Sequence, residues 1–203
     1  DLSPSVPRPK IYVDENIPET WTPEEVRQLL AVIDRSNAIG KRDYAMLLLA
    51  VLLGMRAGDI CALKFKNLDW RQQKTKKTNT LPLLPIIGDA IIDYLKNGRL
   101  DSDCDNVFIR HIHPYGEFQS STSLSENLKR YMKYAGLTVK KRKTAHSLRH
   151  TLASTLLYDG TPLMTISNIL GHNCPKTTSV YTKVDLPALR KCALSYGERR
   201  ELK

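Results

Sequence analysis

"HSLRHT", residues 146–151, sets His146, Arg149 and His150 within five positions, close to the start of an apolar helical pattern. Leu148, Leu152, Leu156 and Leu157 supply the apolar side, Ser147 is expected to cap a helix over about 147–158, and Gly160 ends it. Polar groups at that position fit three readings: a satisfied buried cluster, a metal site, or a pocket for an anion. Two histidines four apart could begin a zinc site, but no cysteine pair or carboxylate supplies further ligands at a workable spacing. An anion pocket stays open beside these, since the first turn of a helix presents free amides and the positive end of its dipole.

The composition is compatible with an anionic partner. The chain has 203 residues, enough for one sizeable domain and a short appendage. Its 31 Lys and Arg against 21 Asp and Glu give a net charge of +10, which favours nucleic acid or an acidic surface. Cys61, Cys104, Cys174 and Cys192 are scattered without CxxC spacing, so they read as free thiols of a reducing cytoplasm. The most apolar run, Ala45 to Met55, has eleven residues where a membrane span needs roughly 20. It reads as a buried helix.

Outward from the opening motif, the chain is mostly helical punctuation. Residues 1–21 carry Pro4, Pro7, Pro9 and Pro18 and read as an extended linker. Thr22-Pro23-Glu24-Glu25 is a capping box with proline at the first helical position, and Val26, Leu29, Leu30 and Ile33 follow at helical spacing. Further helices are expected over 41–53, stopped by Gly54, and over 57–64, 87–96 and 123–135. Thr161-Pro162 should cap another that runs to Leu170 and is closed by Gly171, and a short one should contain Tyr181. Thr78 to Leu84 is the best strand candidate, on an edge because of Pro82, while 98–122 is irregular apart from the apolar Val107 to Ile109. The fold class is mainly α with a small β element.

Singly, the remaining polar residues have ordinary readings. Arg56 could pair with Asp59 three residues on, the lysines of 74–77 and 140–143 could be solvated faces, and Tyr181 a half-buried aromatic. Their order is not ordinary: GMRAGD (54–59), QKTKK (73–77), HSLRHT, LGH (170–172), then TTSVYTKV around Tyr181. In this the sequence resembles the catalytic domain of the tyrosine recombinases, the phage-integrase family, from about Thr22 to Val184. The resemblance implies a helical bundle with a small antiparallel β-sheet at one edge. It implies a catalytic domain over 22–185 and a tail helix over 186–203, which either packs on its own domain or is exchanged between protomers.

The resemblance also implies roles. Arg56 and Arg149 become the active-site arginines, Lys74 the hairpin lysine, His146 and His172 further phosphate-site groups, and Tyr181 the nucleophile. Asp59 would orient Arg56, His150 would give structural support, and Lys140, Lys141, Arg142 and Lys143 would follow the DNA backbone. Only Arg71, Gln72 and Gln73 separate Trp70 from Lys74, too few for a first strand of roughly 4–6 residues, so Lys76 and Lys77 stand as rivals. The family's DNA-embracing N-terminal domain is expected to be missing, leaving a monomeric, weakly active fragment of a homotetramer on double-stranded DNA. The implied setting is the prokaryotic cytoplasm at the nucleoid, with no membrane partner.

The chemistry explains the inventory. Moving a phosphodiester onto tyrosine requires stabilised negative charge on phosphorus and a proton for the departing 5′ oxygen. Arginine forks suit the first task and lysine the second. A phosphotyrosine conserves the bond, so neither metal nor ATP nor another cofactor is implied. Two alternatives use the same residues: an idle DNA-binding module, and a relaxing topoisomerase of type IB chemistry.

Overall fold

In the computed structural model, residues 20–68, 83–137 and 143–171 are described. Their organising element is a helix apolar almost all round, α2 (Ala38–Leu52), with Ala45 to Ala50 all 2% exposed or less. It begins three residues before the expected 41 because Asn37 caps it, its Oδ1 accepting from the Gly40 amide at 2.8 Å. Five other helices pack on it: α1 (Pro23–Ala31), α3 (Ala57–Cys61), α4 (Pro85–Asn97), α5 (Thr122–Tyr134) and α6 (Ala145–Tyr158). The last helix, α7 (Leu163–Leu170), packs on α6 around a small satellite core of Ala153, Ile166 and Leu170.

Local signals account for most boundaries. The Thr22 hydroxyl accepts from the Glu25 amide at 3.2 Å and the Glu25 carboxylate accepts from the Thr22 amide at 2.8 Å, the expected capping box. Pro85 opens α4 at its first position, directly after the extended Leu84. Residues 78–82 of the expected strand lie outside the described residues. The helix expected over 57–64 stops at Cys61, and a 3₁₀ turn (Phe65–Asn67) follows. Among the described residues, β structure is limited to two antiparallel bridges, Lys64 with Asn106 and Arg110 with Gly116. These lead Val107, Phe108 and Ile109 through the core with no exposed surface.

One cap differs from expectation. Ser147 does not begin the helix that carries the opening motif; Thr144 does, with α6 starting at Ala145. Ser147 takes the third helical position instead, where its Oγ accepts from the Thr144 amide at 3.0 Å. The extended backbone of Thr144 (φ −130°, ψ 173°) brings that amide back over the first turn.

A buried polar knot joins α2 to α5. The fully buried Asp43 carboxylate accepts from Arg42, Asn127 (3.0 Å), Arg130 (3.0 Å) and the Tyr131 hydroxyl (2.9 Å). Arg42 reaches on to the Ile109 carbonyl at 3.1 Å, so the irregular segment is tied in as well. Burial, then the neighbouring Asp43 charge, pushes the Tyr131 hydroxyl up to about 12. Every member has a partner, as a buried ionic cluster requires.

Candidate active site

Four helix ends meet beside α2. Its chain leaves the helix through Gly54, whose φ of 59° is a left-handed conformation that suits glycine. The backbone then turns into α3 at Arg56. From the other side, α6 brings its first two turns and α7 its last, closed by Gly171 at φ 61°.

Arg149 is the centre of this meeting. It is 3% exposed, and one Nη donates to the Gly54 carbonyl at 2.7 Å while the other donates to the Leu170 carbonyl. One guanidinium thus bridges the ends of α2 and α7. Arg56 lies nearby with half of its side chain exposed and donates to the Gly171 carbonyl at 3.2 Å. Its expected pairing with Asp59 is loose, at 3.9 Å between two exposed groups. Asp59 can bias Arg56 but contributes little stability.

His146, Arg149 and Arg56 line one cleft of about 270 Å³. Burial lowers the pKa of His146 below its ordinary 6.5, and the Arg149 and Arg56 cations lower it further. A neutral imidazole is therefore favoured near neutral pH. The ring of His150 stands edge-on to that of His146, with centroids 4.4 Å apart. The first turns of α5 and α6 form the rest of the wall, with the hydroxyl residues Ser121, Thr122, Ser125 and Thr144. Sequence reading passed over these four; a run of small hydroxyl residues at a helix start (STS, 121–123) was the available signal.

The structure therefore gathers Arg56, His146 and Arg149, with Asp59 and His150 beside them. Lys143 is turned inward: its ammonium pairs with Glu25 and sits 4.9 Å from the centre of the Trp21 ring. That pairing, not a free surface, is where the described structure puts its charge. Lys74 and its rivals Lys76 and Lys77, Lys140, Lys141, Arg142, His172, Tyr181 and the tail 186–203 lie outside the described residues. Trp21, the last residue of the expected linker, is packed into the core at 3% exposure. Among the described residues, no cluster of three His, Cys, Asp or Glu side chains suits a metal, and no helix is long and apolar enough to cross a membrane.

Residues 19–186 match the model of the phage integrase family. The chain belongs to that family. A Sinorhizobium fredii protein named integrase/recombinase y4rA is 36% identical over 201 residues, which is 97% of this chain and 49% of the relative. The tyrosine recombinase XerC of Bacillus pumilus is 32% identical over 197 residues, 92% of this chain and 64% of its own. The crystal structure of XerA recombinase superposes with a TM-score of 0.68 at 27% identity, covering 94% of this chain and 66% of that one. The XerH recombinase bound to its difH substrate, at 22% identity and a TM-score of 0.70 over 88% of this chain and 53% of that one, shares the fold. This integrase-family chain spans about half the length of y4rA.

Proposed function

We propose that this chain is the catalytic part of a site-specific recombinase that cleaves and rejoins double-stranded DNA through a 3′-phosphotyrosine on Tyr181. The observation that carries the reading is the cleft in which Arg149, buried and fixed by two backbone carbonyls, stands with Arg56 and His146 at the N-terminal end of α6. Two guanidinium groups beside a helix N-terminus support reading this cleft as a phosphate site. The solved XerH complexes with difH DNA and the lambda integrase dimer bound to a core site make DNA the partner to test.

In this mechanism the scissile phosphate sits against the two guanidinium forks, which neutralise its non-bridging oxygens. The charge added when Tyr181 Oη attacks phosphorus is held by the same donors, each worth roughly 10²- to 10³-fold in rate. His146 is favoured as neutral near pH 7, so it can accept the tyrosine proton or donate to the phosphate. His172 adds a donor, and Lys74 delivers a proton to the departing 5′ oxygen. Ligation reverses these steps: the 5′ hydroxyl attacks the phosphotyrosine, and Tyr181 leaves with its proton restored. In this reading Lys140, Lys141 and Arg142 follow the adjacent backbone, and four protomers assemble on DNA with the 186–203 tails as couplers.

The test is adduct formation by the full-length protein on nicked suicide duplexes built from the DNA that flanks its coding region. A protein–DNA species stable to denaturant is expected, and Tyr181→Phe should abolish it while retaining DNA binding. An adduct that persists in Tyr181→Phe, or no adduct with any flanking duplex, overturns the proposal.

A further inference from the structure

The chain enters the domain at Trp21, and what this residue holds is the helix that carries the opening motif. Its indole Nε1 donates to Ser147 Oγ at 2.7 Å, with donor and acceptor both buried. Its backbone amide donates to Thr151 Oγ1 at 2.8 Å, one turn further along α6. Ser147 Oγ also accepts from the Thr144 amide and donates to the Thr144 carbonyl at 2.7 Å. A hydroxyl has one proton and two lone pairs, so these three bonds saturate it. The indole proton is thus one of only three supports of the Thr144–Ser147 turn at that oxygen.

The same turn forms the cleft. Thr144, Ala145, His146 and Arg149 line it, and Ser147 lies between the two active-site candidates in sequence. A second tie runs in parallel: Glu25 spends one carboxylate oxygen on the Thr22 cap amide and the other on Lys143, whose ammonium covers the Trp21 ring. The starts of α1 and α6 are therefore clamped together directly after residue 20.

We propose that Trp21 is a positioning residue for catalysis, which through Ser147 sets the first turn of α6 and with it His146 relative to Arg149 and Arg56. It rests on the functional reading given above. Its physical content is that Trp21 and the cleft share one joint at Ser147. A displacement of Trp21 acts first on the turn carrying His146, because the Arg149 guanidinium is anchored separately by Gly54 and Leu170.

Two substitutions test the joint in the full-length protein: Trp21→Phe keeps an aromatic filler and removes the N–H, and Ser147→Ala keeps the indole and removes its acceptor. Single-turnover adduct formation at saturating suicide duplex is the readout, with DNA affinity and thermal midpoint measured beside it. Each variant should form adduct roughly tenfold more slowly, below the ~10²-fold that a 1 Å misplacement can cost, with affinity unchanged within about twofold. The double variant should be no slower than Ser147→Ala alone, because that substitution already removes the indole bond together with the two Thr144 bonds. Ile33→Val, a core change of small stability cost away from the cleft, should react at the wild-type rate and so separates positioning from stability. A wild-type rate in Trp21→Phe, or strictly multiplicative losses in the double, overturns the proposal while leaving the functional reading intact. A wild-type protein that forms no adduct overturns both. Should Trp21→Phe fail to fold, Trp21→Leu, which also lacks the indole N–H, is read in its place, because Ser147→Ala removes the two Thr144 bonds as well.

Discussion

Gly54→Ala probes the one backbone position on which the cleft depends most. The residue has φ 59°, where a Cβ costs about 1–2 kcal/mol. It is also hemmed in: an added Cβ would stand 2.9 Å from Leu152 Cδ2 and 3.1 Å from Leu170 Cδ2. Both contacts are to the ends of leucine side chains, which can yield, so the crowding falls at the lower part of the about 1–3 kcal/mol typical of overpacking. Together these give a loss of about 2–4 kcal/mol. For a chain of this size that corresponds to a fall in Tm of roughly 5–15 °C. The leucines that must move are on α6 and α7, and the Gly54 carbonyl is itself an acceptor for Arg149, so the perturbation reaches the cleft as well as the core. Thermal unfolding followed by circular dichroism measures the first effect. Adduct formation per folded molecule, which should fall by at least ~10-fold if one electrostatic donor is displaced, measures the second. A variant that melts within about 2 °C of the parent would refute the steric argument. One that loses stability but cleaves normally would refute the link from Gly54 to Arg149.

Two further perturbations test other parts of the structure. Asp43→Ala should lower stability by about 3–5 kcal/mol, because it strands the buried Arg42 together with Arg130, Asn127 and Tyr131; denaturant unfolding with a loss under about 1 kcal/mol would show that the knot is not a keystone. His146 should titrate below its ordinary 6.5, seen as the histidine resonance that disappears in His146→Gln. A base whose folded pKa is depressed takes up protons more readily when unfolded, so its contribution is present above 6.5 and is lost as pH falls towards the folded value. A measured His146 pKa at or above 6.5 would remove the case for a neutral imidazole beside two guanidinium groups.

What the sequence reveals of this fold follows the range of each interaction. Thr22 with Glu25 acts within one turn, so the chain announces it; Pro85 acts as locally, yet the expected helix begins at 87, two residues late. The eleven-residue apolar run announces a core helix because nothing on it is polar enough to face water. Thr144 was harder to see, since the serine that answers it lies three residues on and looks like a cap in its own right. The Asp43 knot was invisible: its partners on α5 come from 84 to 88 residues away, and an Arg-Asp pair in sequence resembles surface charge. For the site, motif order singled out Arg56, His146 and Arg149, and the structure brings these three to one cleft. What holds them was not legible, because the acceptors are backbone carbonyls 115 and 95 residues distant, and a carbonyl has no letter in the sequence.

That choice of acceptor has a consequence for the chemistry. A cation buried in a protein is most simply satisfied by a carboxylate, but a carboxylate cancels the charge that an anionic substrate would use. Gly54 and Leu170 hold Arg149 through neutral oxygens, and Gly171 does the same for Arg56, so these bonds fix the forks without spending their net charge. The carbonyls also lie at the C-terminal ends of α2 and α7, where the helix dipole favours a cation, whereas α6 offers the cleft its N-terminal end, where the dipole favours an anion. The helices thus act on two charges of opposite sign at once. Arginine is stabilised from behind, and an anion placed in the cleft would be attracted from the front. Had Asp59 been drawn in to pair tightly with Arg56, at hydrogen-bond distance and buried, the front charge would be weakened; at 3.9 Å and mostly exposed, it biases the side chain and leaves the fork available.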